Sequence, residues 1–151
     1  ERRLLKSGYY VPHHELLRRA VLEELLSGGK ALIVDCHSFP GRPLPCDERQ
    51  DENLPDFCIG TDAFHTPPRL LRLVESAVRG HGYSVGVNSP YSGTLVPSAT
   101  YRKNPDVRSV MLEVNRRLYM DEKTGAKSPG FNSAKDRIQA ILKEIAAFGT
   151  A

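Results

Sequence analysis

The run Ala31-Leu32-Ile33-Val34-Asp35-Cys36 decides how the chain is read. Its first four residues are apolar without polar alternation, which predicts a short strand covered on both faces, as in a parallel sheet flanked by helices. Before it, Pro12 opens HHELLRRAVLEELLSGG, where Leu16, Leu17, Ala20, Val21 and Leu25 form one stripe and Gly28 supplies a stop, so a helix is predicted. After it, residues 38–55 turn to Pro, Gly and charge, and the carboxylates of CDERQDEN are expected to be solvated. DFCIG predicts a second strand. A helix follows from Pro67-Pro68, with Leu70, Leu71, Val74, Ala77 and Val78 inward and Gly80 and Gly82 beyond its end.

Further on, YSVGVN and VRSVMLEVN read as strands separated by the loop SPYSGTLVPSATYRKNPD. The closing FNSAKDRIQAILKEIAAFG repeats Ile138, Ile141, Leu142, Ile145 and Phe148 at helical spacing, with Ser133 and Asp136 placed as an N-terminal cap. This order predicts an α/β fold, a three-layer sandwich around a mostly parallel sheet.

Composition narrows the function. With 151 residues, 40% apolar and 26% charged, the chain fits one globular domain, and fibrous and disordered classes are excluded. The net charge of +3 comes from 21 basic and 18 acidic residues without a basic block, so no nucleic-acid partner is expected. No run is long and apolar enough for a membrane span or a secretory leader, and the expected setting is cytoplasmic. Nothing in the pattern specifies an oligomeric state. Cys36, Cys46 and Cys58 lack CxxC spacing, and Cys36 is expected to be a small buried residue.

In an open sheet, ligands gather beyond the carboxyl ends of strands. Three polar groups fall there: Asp35-Cys36-His37-Ser38, Asn88-Ser89-Pro90-Tyr91-Ser92-Gly93 and Glu113-Val114-Asn115-Arg116-Arg117. A carboxylate beside a histidine can hold the tautomer of its ring, so Asp35 strengthens a functional role for His37 over a structural one. Glu113 interrupts an apolar strand and needs either a purpose or a salt bridge to Arg116 or Arg117. Cys36 or Ser38 as a nucleophile lacks a recognised elbow. His13 and His14 are adjacent on a helix and point apart.

The strings DCHSFP, NSPYSG and above all EVNRRLYMDE closely resemble the N-formylglutamate amidohydrolase family, and YYVPHH at Tyr9 to His14 is similar to its YYxPYH stretch. The resemblance implies an α/β sandwich similar to zinc-dependent carboxypeptidases and aspartoacylase. The implied reaction is hydrolysis of an N-formyl or N-acyl acidic amino acid, such as N-formylglutamate to formate and glutamate. Carried onto this sequence, it makes His37 a zinc ligand and Glu113 the general base. Asn88, Tyr91 and Gly93 would shape the substrate pocket, while Asn115 with Arg116 or Arg117 would support the site or grip the substrate carboxylate, which an Arg fork matches bidentately.

His13 stands where the family more often has Tyr, and TDAFHTPP replaces a Gly-Thr-Ser-Cys-like string, so the pocket is expected to differ. The family's upstream PHSG-like section, implied source of the other metal ligands, has no counterpart here. Residues 1–151 are therefore expected to be the C-terminal portion of a single domain with an apolar sheet edge or face left uncovered. His14, His65 and His81 are the candidate replacement ligands. The alternative is a catalytically inactive, truncated member that binds a small carboxylate or a partner.

Overall fold

Four strands and three long helices make up the fold in a computed structural model that describes residues 1–46, 50 and 53–149. The carboxylates of Asp47, Glu48, Asp51 and Glu52, expected to be solvated, lie outside the described residues. Strand β1 (Ala31–Phe39) pairs in parallel with β4 (Val107–Asn115), β4 pairs antiparallel with β2 (Phe57–Gly60), and β2 pairs in parallel with β3 (Val85–Val87). The order β1-β4-β2-β3 is a single mixed sheet, mostly parallel, as the alternation of apolar runs and helical stripes predicts.

One face of this sheet is apolar. Leu32 and Val34 of β1, Val110, Leu112 and Val114 of β4, and Phe57 and Ile59 of β2 project to it by the period of two. Helix α3 (Pro68–Gly80) covers it with Leu70, Val74, Ala77 and Val78, and helix α4 (Phe131–Gly149) with Ile141 and Ile145. Helix α4 begins three residues earlier than the Ser133 cap implies. The Gly130 carbonyl already accepts the Ala134 N–H at 2.9 Å, which places Ser133 inside the first turn.

The opposite face is divided. At the starts of β1 and β4, Ala31, Ile33 and Val107 are covered by helix α2 (Val11–Gly28) through Leu17, Val21 and Leu25. This seam is narrower than the stripe in the sequence: Leu16 is 66% exposed and Ala20 is exposed, because the patch beneath consists only of those strand residues and Val96. Ahead of α2 lie a short helix α1 (Arg2–Leu5) and one π-helical turn, Lys6–Tyr10. Pro12 lacks the N–H that would continue an α-ladder back to Gly8, and the wider turn accommodates that loss. Leu4, Leu5, Tyr9, Tyr10 and Val11 on this segment are exposed.

The apolar start of β1 is covered on both faces as its composition predicts, Ala31 and Ile33 by α2 and Leu32 and Val34 by the opposite cluster, but β1 is an edge strand and Cys36 is exposed rather than buried. Beyond Ile33, α2 no longer covers it. The polar half of the face is instead crossed by residues 91–95. Gly60 sets how closely that segment approaches. A Cβ at Gly60 would collide with the Gly93 carbonyl oxygen and the Met111 side chain. Gly60→Ala is therefore expected to lower stability by about 1–3 kcal/mol, read from the urea midpoint, because the crossing segment must lift off the sheet.

Candidate functional site

The uncovered half of the sheet carries Asp35 and His37 from β1 and Glu113 and Asn115 from β4. His37 and Glu113 are register partners, and Cys58 of β2 pairs with Glu113 from the other side. Register partners on adjacent strands lie about 5 Å apart and point to the same face, so Glu113 stands between His37 and Cys58.

Each member is held by a distinct contact. Asp35 Oδ1 is 2.7 Å from His37 Nε2, and its Oδ2 accepts the Leu95 N–H at 3.0 Å, which fixes the carboxylate and through it the imidazole. The His37 side chain remains 52% exposed. Glu113 is only 8% exposed, and its Oε2 is buried with no hydrogen-bond partner among the described residues. Burial pushes the Glu113 carboxyl above the ordinary carboxylate range. The Asp35 charge adds to the rise, whereas His37 and Arg116 oppose it. A carboxylate held in this way is poised to take up a proton.

The crossing segment forms the site's wall. The Cys58 thiol donates to the Tyr91 carbonyl at 3.1 Å, the Tyr91 ring meets Phe39 edge-on at 5.7 Å, and Gly93 adopts φ +88° directly above Gly60. Thr94 and Leu95 then engage Ser109 of β4 through its hydroxyl, at 2.6 and 2.9 Å.

The remaining residues singled out in the sequence lie at the site's margins. Asn88, at φ +52°, accepts the Thr61 N–H at 2.9 Å and donates to the Thr61 hydroxyl at 2.7 Å, which clamps the far ends of β2 and β3. Asn115 is buried, donates to the Pro55 carbonyl at 3.0 Å and accepts the Arg117 N–H at 3.1 Å. Arg117 donates to Asp56 Oδ1 at 2.8 Å. Burial would raise the Asp56 carboxyl, but Arg117 and the Ser84 N–H and hydroxyl outweigh it and hold the group below the ordinary range. Arg116 Nε lies 3.4 Å from Glu122 Oε1, and Arg116 also contributes to the field at Glu113.

Cys36 and Ser38 alternate with His37 and so project to the other face from Glu113. The Cys36 thiol is raised, by desolvation first and by Asp35 second, which disfavours the thiolate. His65 is fully buried and both its nitrogens are engaged: Nε2 accepts the Arg102 N–H at 2.8 Å, which leaves Nδ1–H to donate to the Val107 carbonyl at 2.6 Å. His81 meets Glu144 at 2.9 Å, and the rings of His13 and His14 sit 5.3 Å apart on α2. Among the described residues no three His, Cys, Asp or Glu side chains converge as a metal-holding group. The residues in hand therefore do not by themselves fit a zinc ion.

Cys58 and Asp56 were not picked out from the sequence as neighbours of the site. The antiparallel register of β2 on β4 brings them there, and strand pairing across that many residues leaves no local signal.

A polar cluster at the carboxyl ends of parallel strands, walled by an ordered crossing loop, defines an α/β protein of the hydrolase-like kind. The N-formylglutamate amidohydrolase family model matches residues 1–120, and the chain belongs to that family. The N-formylglutamate amidohydrolase of Ralstonia eutropha JMP134 superposes with a TM-score of 0.77 at 28% identity, over 97% of this chain and 54% of that one. The gene product Atu2144 of Agrobacterium tumefaciens shares the fold, with a TM-score of 0.60 at 21% identity over 97% of this chain and 53% of its own. The chain thus spans about half the length of the solved relatives it matches. No curated protein matches it. Among the described residues, no helix is long and apolar enough to cross a membrane.

Proposed function

We propose that this chain supplies the proton-handling part of an amidohydrolase site that cleaves the N-formyl or N-acyl group from an acidic amino acid, as in N-formyl-L-glutamate giving formate and L-glutamate. The observation that carries this reading is the buried Glu113 carboxylate, with Oε2 unpartnered among the described residues, beside the Asp35-oriented His37. Family membership supports the reaction class.

In the hydrolysis, the oxygen of water bonds to the formyl carbon and the carbon–nitrogen bond then breaks. Glu113 accepts the proton that water loses and returns it to the departing amine. Negative charge that develops on the carbonyl oxygen is opposed by the Arg116 guanidinium, whose field also reaches Glu113. Tyr91 and Gly93 shape the wall on one side, and Asn115, Arg116 and Arg117 hold the end of β4, while Asn88 sets the crossing segment's departure from β3.

Zinc enters this reading only for an enzyme in which further ligands join His37 from outside the described residues, and none of the steps above runs through it. A domain that binds a small carboxylate without cleaving it is the second reading. The observation in its favour is that no three ligating side chains converge among the described residues.

The two separate cleanly. Full-length protein supplied with zinc and N-formyl-L-glutamate is expected to release formate and glutamate in equal amounts, followed by proton NMR. Retention of a dicarboxylate such as glutarate with no formate formed would establish the binding reading instead.

A further inference from the structure

We propose that Arg42 selects the acidic side chain of the substrate by gripping its distal carboxylate. This deepens the reading above and rests on it. A cavity of about 900 Å³ opens beyond the ends of β1 and β4, between residues 40–44 and 116–123. At about 3.3 Å of rise per residue, Asn115 lies roughly 7 Å past Glu113 on the same face, so the cavity begins about one amino-acid side chain away from the reacting end.

Its lining includes four basic residues, Arg42, Arg116, Arg117 and Lys123, and two acidic ones, Asp121 and Glu122. Most of these charges are already engaged. Arg117 is bound to Asp56 at 2.8 Å, and Arg116 lies 3.4 Å from Glu122. Asp121 accepts the Lys123 and Thr124 N–H groups at 2.8 and 3.3 Å. Arg42 and Lys123 are left without an ion pair among the described residues. Arg117 thus braces the protein and Arg116 faces Glu122 through an ion pair alone, whereas a third arginine, in the loop that continues the His37 strand, has no ion pair among the described residues.

That loop is fixed in place. The Gly41 N–H donates to Glu122 Oε2 at 2.7 Å, while Oε1 of the same carboxylate faces Arg116, so Glu122 ties the loop to the turn after β4. Gly41 has little room for a side chain, since a Cβ would meet Glu122 Oε2 at 3.1 Å and Arg117 Cβ at 3.2 Å. Pro40 and Pro43 flank Arg42 and restrict the backbone on both sides. Arg42 is therefore presented from a constrained position, and its planar fork can meet a carboxylate with two parallel hydrogen bonds, which the Lys123 ammonium cannot do.

The test compares N-formyl-L-glutamate with the nearly isosteric, uncharged N-formyl-L-glutamine on full-length wild-type, Arg42→Ala, Arg42→Lys and Lys143→Ala proteins. Arg42→Ala is expected to raise KM for the glutamate substrate about 10- to 100-fold with little change in kcat and little change for the glutamine substrate. Lys143→Ala, at an exposed position on α4 outside the cavity, is expected to leave both unchanged, and Arg42→Lys to recover part of the loss. An unchanged KM in Arg42→Ala, or an equal rise for both substrates, overturns the proposal while the amidohydrolase reading stands. If the wild type releases no formate, that reading fails, and glutarate binding by calorimetry then decides the role of Arg42. Binding weakened about tenfold or more in Arg42→Ala upholds the carboxylate grip; wild-type protein that does not bind glutarate, or a variant that binds it equally well, overturns it.

Discussion

Glu113→Gln is expected to lower kcat for N-formyl-L-glutamate by about 10²–10⁴-fold and, in the same protein, to raise thermal stability at neutral pH. The first effect follows from the loss of the proton acceptor while its shape is preserved. The second follows from burial. Burial raises the folded-state pKa of Glu113 above its unfolded value, so the folded protein favours the protonated form. Below the unfolded pKa both states are protonated and the group has no cost. As pH rises through the folded pKa, the carboxylate must ionise inside the protein and stability is lost. Glutamine does not ionise. The gap in Tm between variant and wild type should therefore be widest near pH 8 and close toward pH 4, as measured by a thermal melt at each pH. A variant less stable than the wild type at every pH would show that the carboxylate is held by a contact that favours its charge.

Phe57→Ala is expected to cost about 3–5 kcal/mol. Phe57 opens β2 with no exposed surface, lies 4.9 Å from the Tyr83 ring, and stands opposite Val114 at the centre of the apolar face. Its removal leaves a cavity in the apolar cluster that α3 and α4 cover. The loss should appear as a fall in the urea midpoint. Since β2 also carries Cys58 beside Glu113, activity should decline with the folded fraction and not ahead of it.

The strands were legible from their apolar runs bounded by Pro, Gly or charge, although β1 continues through Asp35–Ser38 to Phe39, and α3 and α4 because their stripes face a wide apolar sheet. Of the predicted stripes, Leu70, Val74, Ala77, Val78, Ile141 and Ile145 are buried, and Leu71, Ile138, Leu142 and Phe148 pack partly buried against them. Helix α2 was less legible. Leu16 and Ala20 belong to its apolar stripe yet remain exposed, since periodicity reports what a helix could bury and not how much surface is offered to it. Edge position is likewise absent from composition: ALIVDC reads as a strand covered on both faces, and that pattern does not tell that it lies at the border of the sheet.

The candidate site was legible where it is local. Asp35 two residues from His37, on one face of one strand, is a pattern in the sequence and a hydrogen bond in the fold. Glu113 announced itself as a carboxylate in an apolar strand. The roles of the arginines were not local, because Asp56 and Glu122, which engage Arg117 and Arg116, are brought to them by tertiary packing. Arg42 lay hidden in a Pro-rich loop that resembles a plain connection.

The pH dependence of kcat/KM, measured on full-length wild type and on the residual activity of Glu113→Gln, bears most directly on Glu113 as the proton acceptor. If Glu113 takes the proton, the wild-type rate falls on the acid side with a midpoint above the ordinary carboxylate range, and that limb disappears in the variant. An acid limb that survives unchanged in Glu113→Gln, or a variant as fast as the wild type, would contradict it.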